Sequence, residues 1–173
     1  FREFTVSLNL TPKGMDHIDD IVTAVFQYIK LIEQQGFDEW RYKEKQAVLE
    51  QAFRYQEKSR PLDTVSYLVM NMFHYAPEDV IYGDYMMAGY DETLKRELLE
   101  SLTPDNMRLV LVAQGQNYDQ VAQWYHTPYS VTPFTDEQLT RWQQVEVSPE
   151  FSLPEINPYI CEQLDPHPLT QGS

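Results

Sequence analysis

Residues 11–36, TPKGMDHIDDIVTAVFQYIKLIEQQG, contain a complete set of helix signals. Thr11 is an N-cap residue type, and Pro12 at the first helical position has no N–H group to leave unpaired. Gly36 is a common helix stop. Between these ends, apolar residues recur at intervals of three and four, at Ile18, Ile21, Val22, Val25, Phe26, Ile29 and Ile32. The stretch therefore predicts one strongly amphipathic helix, which runs to about Gln35 and buries its apolar stripe.

The start of this helix, GMDHIDDIV at residues 14–22, raises the question of a metal site. Residues three and four apart share a helix face, so His17 with Asp20, or Asp16 with Asp20, could meet at one ion. The spacing is close to the zinc-peptidase signature H-x-x-E-H, but Ile21 stands where the second histidine is needed. Aspartates in early turns also interact favourably with the helix dipole. We therefore predict that His17 is a solvent-facing helix residue and that this chain has no metal site.

The remaining segments predict both strands and helices. Residues 3–10 alternate apolar and polar side chains, and residues 107–114 form a continuous apolar run, typical of a strand buried on both faces. Since no turn or cap precedes it, the first strand is expected to pair with sequence outside these residues. PYSVTPF, residues 128–134, indicates an edge strand because of its prolines. Further helices are predicted at residues 37–58, from Pro61 onward, at 92–102, and from the Thr135–Gln138 capping box to about Val145.

The order of these elements predicts an α+β fold, with several stacked helices on one face of a small antiparallel or mixed sheet. The helix from Pro61 is expected to bury its apolar residues, which are Leu62, Val65, Leu68, Val69, Met72 and Phe73. From Ser148 onward, five prolines and little periodicity indicate an extended tail, residues 148–173.

The composition narrows the classes of partner. The chain has 173 residues, with 13 basic and 27 acidic side chains and a formal net charge of -14. Such a charge repels phosphate backbones and anionic lipid headgroups, so neither nucleic acid nor a membrane surface is an expected partner. The sequence has no apolar run long enough to span a bilayer.

Catalytic motifs are missing from the sequence. Its six glycines do not cluster into a phosphate-binding loop, and the four histidines are widely spaced. Paired carboxylates are frequent at this acidic density and indicate a solvated surface. Cys161 is the single cysteine, and no histidine-bearing motif stands near it, so we interpret it as an inert thiol in the tail. The chain on its own is predicted to have no catalytic residue.

Several blocks resemble the pitrilysin and insulysin family of zinc metallopeptidases. They are LTPKGMDHIDDIV with the following helix AVFQYIKLIEQQG, then FRYQEKSRP, LTPDNMRLVLVA, WYHTPYSV and FSLPEINPYI. Together they extend over nearly the whole chain, and the run LPEINPYI fits the bacterial, pitrilysin-like branch best. Each motif is structural rather than catalytic in that family.

The resemblance implies that this chain is part of a metallopeptidase-family α/β roll domain. Residues 1–147 would form the later part of the second, non-catalytic domain, and residues 148–173 a linker toward a third. The full enzyme would enclose peptide substrates between two halves, with zinc bound outside this segment and with the remaining domains of the same chain as partners. Glu57, in FRYQEKSRP, occupies the position of an acidic residue that latches the two halves in insulysin-like members. At His126 those members carry glycine.

The pitrilysin-like branch also implies a periplasmic protein, with the cytoplasm as the alternative. A contrasting hypothesis is a non-catalytic peptide-binding or helical interaction module of an inactive paralogue. A third is a carboxylate metal binder centred on Asp16, His17 and Asp20, which ranks last because of Ile21.

Overall fold

The computed structural model describes residues 3–161. Its α-helices are α1 (Pro12–Met15), α2 (Ile18–Gln35), α3 (Glu39–Arg54), α4 (Pro61–Asn71), α5 (Glu92–Ser101) and α6 (Asp136–Gln143). Short 3-10 turns lie at Pro77–Asp79, Gly83–Tyr85 and Pro104–Asn106. Two short strands, β1 (Gln120–Val121) and β2 (Pro128–Tyr129), form an antiparallel pair. The α+β class predicted from the sequence is confirmed.

The chain divides into two compact units. Among the described residues, the first unit combines residues 3–36 with Thr93–Leu153, and the second combines Phe37–Glu92 with residues 154–161. Each unit is therefore built from two separate pieces of sequence.

Helices α2 and α6 build the core of the first unit. Val22 and Phe26 of α2 are buried with Trp142 of α6 and with Val145. The Trp142 ring lies 6.5 Å from that of Phe26, and Phe134 meets it edge-on at 5.2 Å. Arg141 of α6 also forms an ion pair with Asp19 of α2. The predicted amphipathic helix thus supplies the core, as its apolar spacing indicated.

The first predicted helix is interrupted, which corrects the expectation of one continuous helix. Thr11 caps α1 by accepting a hydrogen bond from Gly14 N, but α1 ends at Met15 and α2 begins only at Ile18. His17 has φ −124° and ψ 28°, which are not helical values. Asp16 and His17, the two residues at the break, are both weak helix formers. The predicted end at Gly36 is confirmed, with φ +80°.

The predicted capping box at the start of α6 is also confirmed. The Gln138 amide N–H donates to Thr135 Oγ1, and Thr135 N–H donates in return to Gln138 Oε1 at 3.0 Å. This reciprocal pair satisfies two N–H groups at the helix start.

The two long strand predictions are wrong as stated. Neither residues 3–10 nor residues 107–114 have strand structure, and the apolar side chains of both segments are largely exposed. A strand exists only through hydrogen bonds to a neighbouring strand, and the part of the chain described here supplies none for these segments. The predicted edge strand at residues 128–134 shortens to β2, which pairs with β1 in the register Gln120↔Tyr129.

Helix α4 does not bury its apolar stripe, contrary to prediction. Leu62 is 76% exposed and Phe73, just after the helix, is 77% exposed. Val65, Val69 and Met72 are exposed as well. The periodicity was a sound indicator of the helix, but it does not identify what covers the apolar side.

Aromatic contacts organise the second unit. Phe53 of α3 packs against Tyr82 and Tyr85 at ring distances of 4.9 Å and 5.4 Å. Part of the predicted tail also belongs to this unit, since Asn157 N–H donates to the Glu44 carboxylate of α3 at 3.1 Å. The tail beyond Cys161 lies outside the described residues.

Candidate functional site

The predicted metal pair is a simple side-chain contact at the surface. His17 Nδ1 lies 2.7 Å from Asp20 Oδ2, and the two side chains are 51% and 76% exposed. His17 is solvent-facing, as predicted, but it is the N-cap residue of α2 rather than a residue within the helix. Within residues 3–161, no group of three or more His, Cys, Asp or Glu side chains is placed to hold a metal ion.

Two of the other histidines, His74 and His126, and the cysteine lie in the described part of the chain. His74 follows α4 and is exposed, Cys161 is exposed, and His167 lies outside the described residues. His126 lies in the turn between β1 and β2 with φ +52°, in the left-handed region that favours glycine. A glycine at this position would adopt the same backbone conformation without strain.

A cluster of two tyrosines and an aspartate was not predicted from the sequence. Tyr67 and Tyr75 donate hydrogen bonds to the Asp84 carboxylate, and the Tyr75 hydroxyl lies 2.7 Å from Asp84 Oδ1. These two hydrogen bonds hold the pKa of Asp84 below its usual value. The same contact raises the pKa of Tyr75, because the carboxylate favours the protonated hydroxyl.

The cluster lies at the chain reversal after α4. Asn71, which is 5% exposed, donates from Nδ2 to the Val80 carbonyl at 3.0 Å. Gly83 lies directly against the Tyr75 ring, and a Cβ at this glycine would fall 2.5 Å from ring carbons. The cluster joins the end of α4 to the turn at Gly83–Tyr85, so its role is structural.

Glu57 lies in the irregular segment between α3 and α4, and it is exposed. Nearby arginines pair with other carboxylates: Arg54 with Glu50 at 2.8 Å, and Arg60 with Asp63 at 2.7 Å. The Glu57 carboxylate makes no hydrogen bond or ion pair with any residue in the range 3–161. It is therefore available to a contact from elsewhere.

An open cavity of about 210 Å³ lies in the first unit. Phe26, Trp142 and Val145 line its apolar side, and Lys30 and Glu33 lie at its polar side. Pockets for small molecules commonly enclose about 300–1,000 Å³ and are largely closed. This cavity is too small and too open to indicate a ligand site by itself.

Comparison with known proteins identifies the family. A family model described as "Middle or third domain of peptidase_M16" matches residues 53–172. This chain belongs to the M16 peptidase family. The pitrilysin and insulysin resemblance read from the motifs is confirmed.

Two relatives and one solved structure show the extent of the similarity to this M16 chain. Insulin-degrading enzyme of Homo sapiens is 29% identical over 171 residues, which is 98% of this chain and 17% of that protein. Protease 3 of Escherichia coli O157:H7 is 31% identical over 155 residues, 90% of this chain and 16% of the relative. A crystal structure of pitrilysin superposes with a TM-score of 0.81 at 29% identity, covering 89% of this chain and 16% of that one.

The M16 chain thus spans about a sixth of the length of the relatives that it matches. In the range of residues described, no helix is both long and apolar enough to cross a membrane.

Proposed function

We propose that this chain is a non-catalytic scaffold and chamber-wall segment of a zinc-dependent metalloendopeptidase, which hydrolyses peptides enclosed between two halves. The observation that carries the proposal is membership of the M16 family, whose model matches most of the chain. The chain itself has about a sixth of the length of the relatives. The helical units and the absence of a three-ligand group in residues 3–161 support a wall rather than a reactive centre.

The residues that the structure describes, 3–161, do not fit a zinc ion. Zinc sites in proteins use three or four nitrogen, sulfur or oxygen ligands from the protein. The His17–Asp20 pair offers two, at a surface where both side chains are more than half exposed. In the proposal, zinc is bound by another part of the parent protein, and this segment takes no part in coordination.

The position within the parent is also proposed. Residues 1–147 would form the later part of the second domain and residues 148–173 the linker toward the third, with the remaining domains and peptide substrates as partners. The periplasm is the proposed compartment, because the resemblance of the motifs to the pitrilysin-like branch implies it. Fractionation of cells that express the full-length protein tests this, and recovery with the cytoplasmic fraction contradicts it.

Activity of the full-length protein tests the main proposal. We expect hydrolysis of a quenched fluorogenic peptide by the full-length protein, with its loss on chelation and recovery on adding zinc. The 173-residue chain should neither cleave the peptide nor retain stoichiometric zinc by elemental analysis. Cleavage by the 173-residue chain, abolished by His17→Ala, would overturn the proposal. A full-length protein that binds peptides without hydrolysing them would instead favour the inactive paralogue.

Glu57 is proposed as an interdomain contact that helps to hold the chamber closed. Its support is an exposed carboxylate without a partner in residues 3–161, in the motif FRYQEKSRP. Glu57→Lys in the full-length protein reverses the charge, so we expect a larger open fraction and a changed kcat/KM that depends on salt. Glu78→Lys is the matched control, because Glu78 is also exposed and in the same unit. Equal kinetics for the two variants and the parent protein would remove Glu57 from the proposal.

A further inference from the structure

Residues 154–160 contact helix α3 through their main chain. Arg41 Nη1 of α3 donates a hydrogen bond to the Pro154 carbonyl. The Asn157 N–H group donates to the Glu44 carboxylate of the same helix at 3.1 Å. Within residues 3–161, no other hydrogen bond joins residues 154–160 to another part of the chain. In this range, two side chains of one helix therefore make all the hydrogen bonds that hold the segment.

The two side chains suit this contact by their positions on the helix. Arg41 and Glu44 are three residues apart, so they share one face of α3. Opposite charges at this spacing can pair with each other, but here each contacts the later segment instead. The Arg41 guanidinium also lies over the Trp40 ring, with Cζ 4.3 Å from the ring centre. This second contact restricts the guanidinium beside the Pro154 carbonyl.

The segment itself is suited to contact through the main chain. Pro158 disfavours a helical conformation of Asn157, and residues 154–157 have neither helix nor strand structure. Asn157 Oδ1 accepts a hydrogen bond from Tyr159 N–H at 3.0 Å, which stabilises a turn at residues 158–159. Ile156 and Tyr159, in contrast, are 65% and 91% exposed. Burial of these two apolar side chains therefore contributes little to holding the segment.

We propose that Arg41 and Glu44 form a releasable clamp on residues 154–157, which sets the point where the linker of the parent polypeptide leaves α3. This inference rests on the proposed function in one respect, namely that residues 148–173 are a linker toward another domain. Each hydrogen bond of the clamp joins a charged side chain to a main-chain group, and such bonds are stronger than those between neutral groups. Because Ile156 and Tyr159 are open to solvent, the segment can detach without the unfolding of α3.

Release of the clamp would lengthen the linker. With the clamp closed, the linker leaves α3 at Asn157, and with the clamp open it leaves at Pro154. An extended chain spans about 3.3–3.6 Å per residue, so release of residues 154–157 adds up to about 14 Å of reach. In the proposed parent protein, this added reach lets the domains on either side of the linker separate further. The closed clamp thus restricts opening of the chamber.

Hydrogen–deuterium exchange of the full-length protein measures the clamp at the Asn157 amide. Glu44→Ala removes the acceptor, so we expect this amide to exchange about 10-fold faster or more. Arg41→Met removes the donor to Pro154 but leaves Glu44 in place, and it should also accelerate exchange at Asn157, because the two contacts hold one segment. Faster exchange in Glu44→Ala alone would show two separate contacts and overturn the inference. Unchanged exchange in both variants would overturn it too.

Two further variants separate loss of the clamp from a general effect of substitution in α3. Glu44→Gln retains an acceptor oxygen, so exchange at Asn157 should stay closer to that of the parent protein than in Glu44→Ala. Lys45→Met is the matched control for Arg41→Met, because Lys45 is exposed on the same helix. It should leave the exchange unchanged, and an acceleration equal to that of Arg41→Met would contradict the clamp. Equal exchange of the α2 amides in all variants shows that the fold is intact.

Small-angle X-ray scattering on the same samples tests what the clamp controls. We expect a larger radius of gyration for Glu44→Ala and Arg41→Met than for the parent protein and Lys45→Met. Faster exchange at Asn157 with an unchanged radius of gyration would overturn the control of linker reach.

Peptide hydrolysis is measured on the parent protein in the same series. A parent protein with a protected Asn157 amide and no hydrolysis would contradict the peptidase proposal and support the clamp. Hydrolysis by a parent protein whose Asn157 amide is unprotected would contradict the clamp alone.

Discussion

Replacing Trp142 tests how the first unit is held together. Its side chain is 2% exposed and contacts the rings of Phe26 and Phe134. Truncating a buried Phe or Trp to alanine costs about 3–5 kcal/mol, through lost burial and the cavity that remains. We expect Trp142→Ala to lower the free energy of unfolding by about 4 kcal/mol. Domains are commonly stable by only about 5–15 kcal/mol, so this loss is a large part of the total.

Trp142→Phe should cost much less than the alanine variant. The smaller ring retains the aromatic contacts but gives up about 1–2 kcal/mol of burial. It also removes the buried Nε1–H group, which has no hydrogen-bond acceptor in residues 3–161. An unsatisfied buried donor costs about 1–3 kcal/mol, so its removal offsets the lost burial. We expect the free energy of unfolding to stay within about 1 kcal/mol of that of the parent chain.

Urea unfolding of the 173-residue chain, followed by far-UV circular dichroism, measures both variants. Trp124→Ala is the control for the same chemical change at an exposed position, because Trp124 is 83% exposed. The control should change the free energy of unfolding by less than about 0.5 kcal/mol. Equal effects of Trp142→Ala and Trp124→Ala would refute the assignment of Trp142 to the core. If Trp142→Phe were as unstable as Trp142→Ala, this would refute the argument that removing the unsatisfied Nε1–H group offsets the lost burial.

Three further substitutions address local features. Gly83→Ala places a Cβ against the Tyr75 ring, so we expect a loss of about 1–3 kcal/mol in urea unfolding, and no loss would contradict the close approach. At pH values above the unfolded-state pKa of Asp84, its lowered pKa in the folded state stabilises the fold. This contribution is lost as the pH falls through the folded-state pKa. Asp84→Asn should therefore reduce the loss of stability between neutral and acid pH, and an unaltered pH profile would contradict that role. His126→Gly relieves a left-handed residue at φ +52° and should raise the free energy of unfolding by up to about 1 kcal/mol, whereas His126→Val should lower it. Equal thermal unfolding of the two His126 variants would count against backbone strain at this turn.

Local signals were reliable guides to the fold. The Thr135–Gln138 capping box and the stop at Gly36 depend on residues within one helical turn, and both were predicted. The break at His17 was missed, because the cap signals at Thr11 and Pro12 were assigned to the helix whose apolar stripe begins only at Ile18. Strand predictions at residues 3–10 and 107–114 depended on partners that no local pattern specifies. Sequence periodicity identifies a segment able to pair, whereas pairing itself requires a neighbour.

The tyrosine–aspartate cluster escaped prediction for a related reason. Tyr75 and Asp84 are nine residues apart and meet only because the chain reverses after α4. No fixed spacing marks such a contact in the sequence.

The division of each unit between two pieces of sequence has a consequence for synthesis on the ribosome. Asp19 of α2 and Arg141 of α6, which form an ion pair in the first unit, are 122 residues apart. At about 5–20 residues per second, α2 leaves the ribosome roughly 6–24 seconds before α6 is available to cover it. During this interval Val22 and Phe26 lack Trp142, which buries them in the folded protein. Helices α3 and α4 of the second unit are synthesised in this interval. The nascent chain is therefore expected to need a chaperone until α6 completes the core of the first unit.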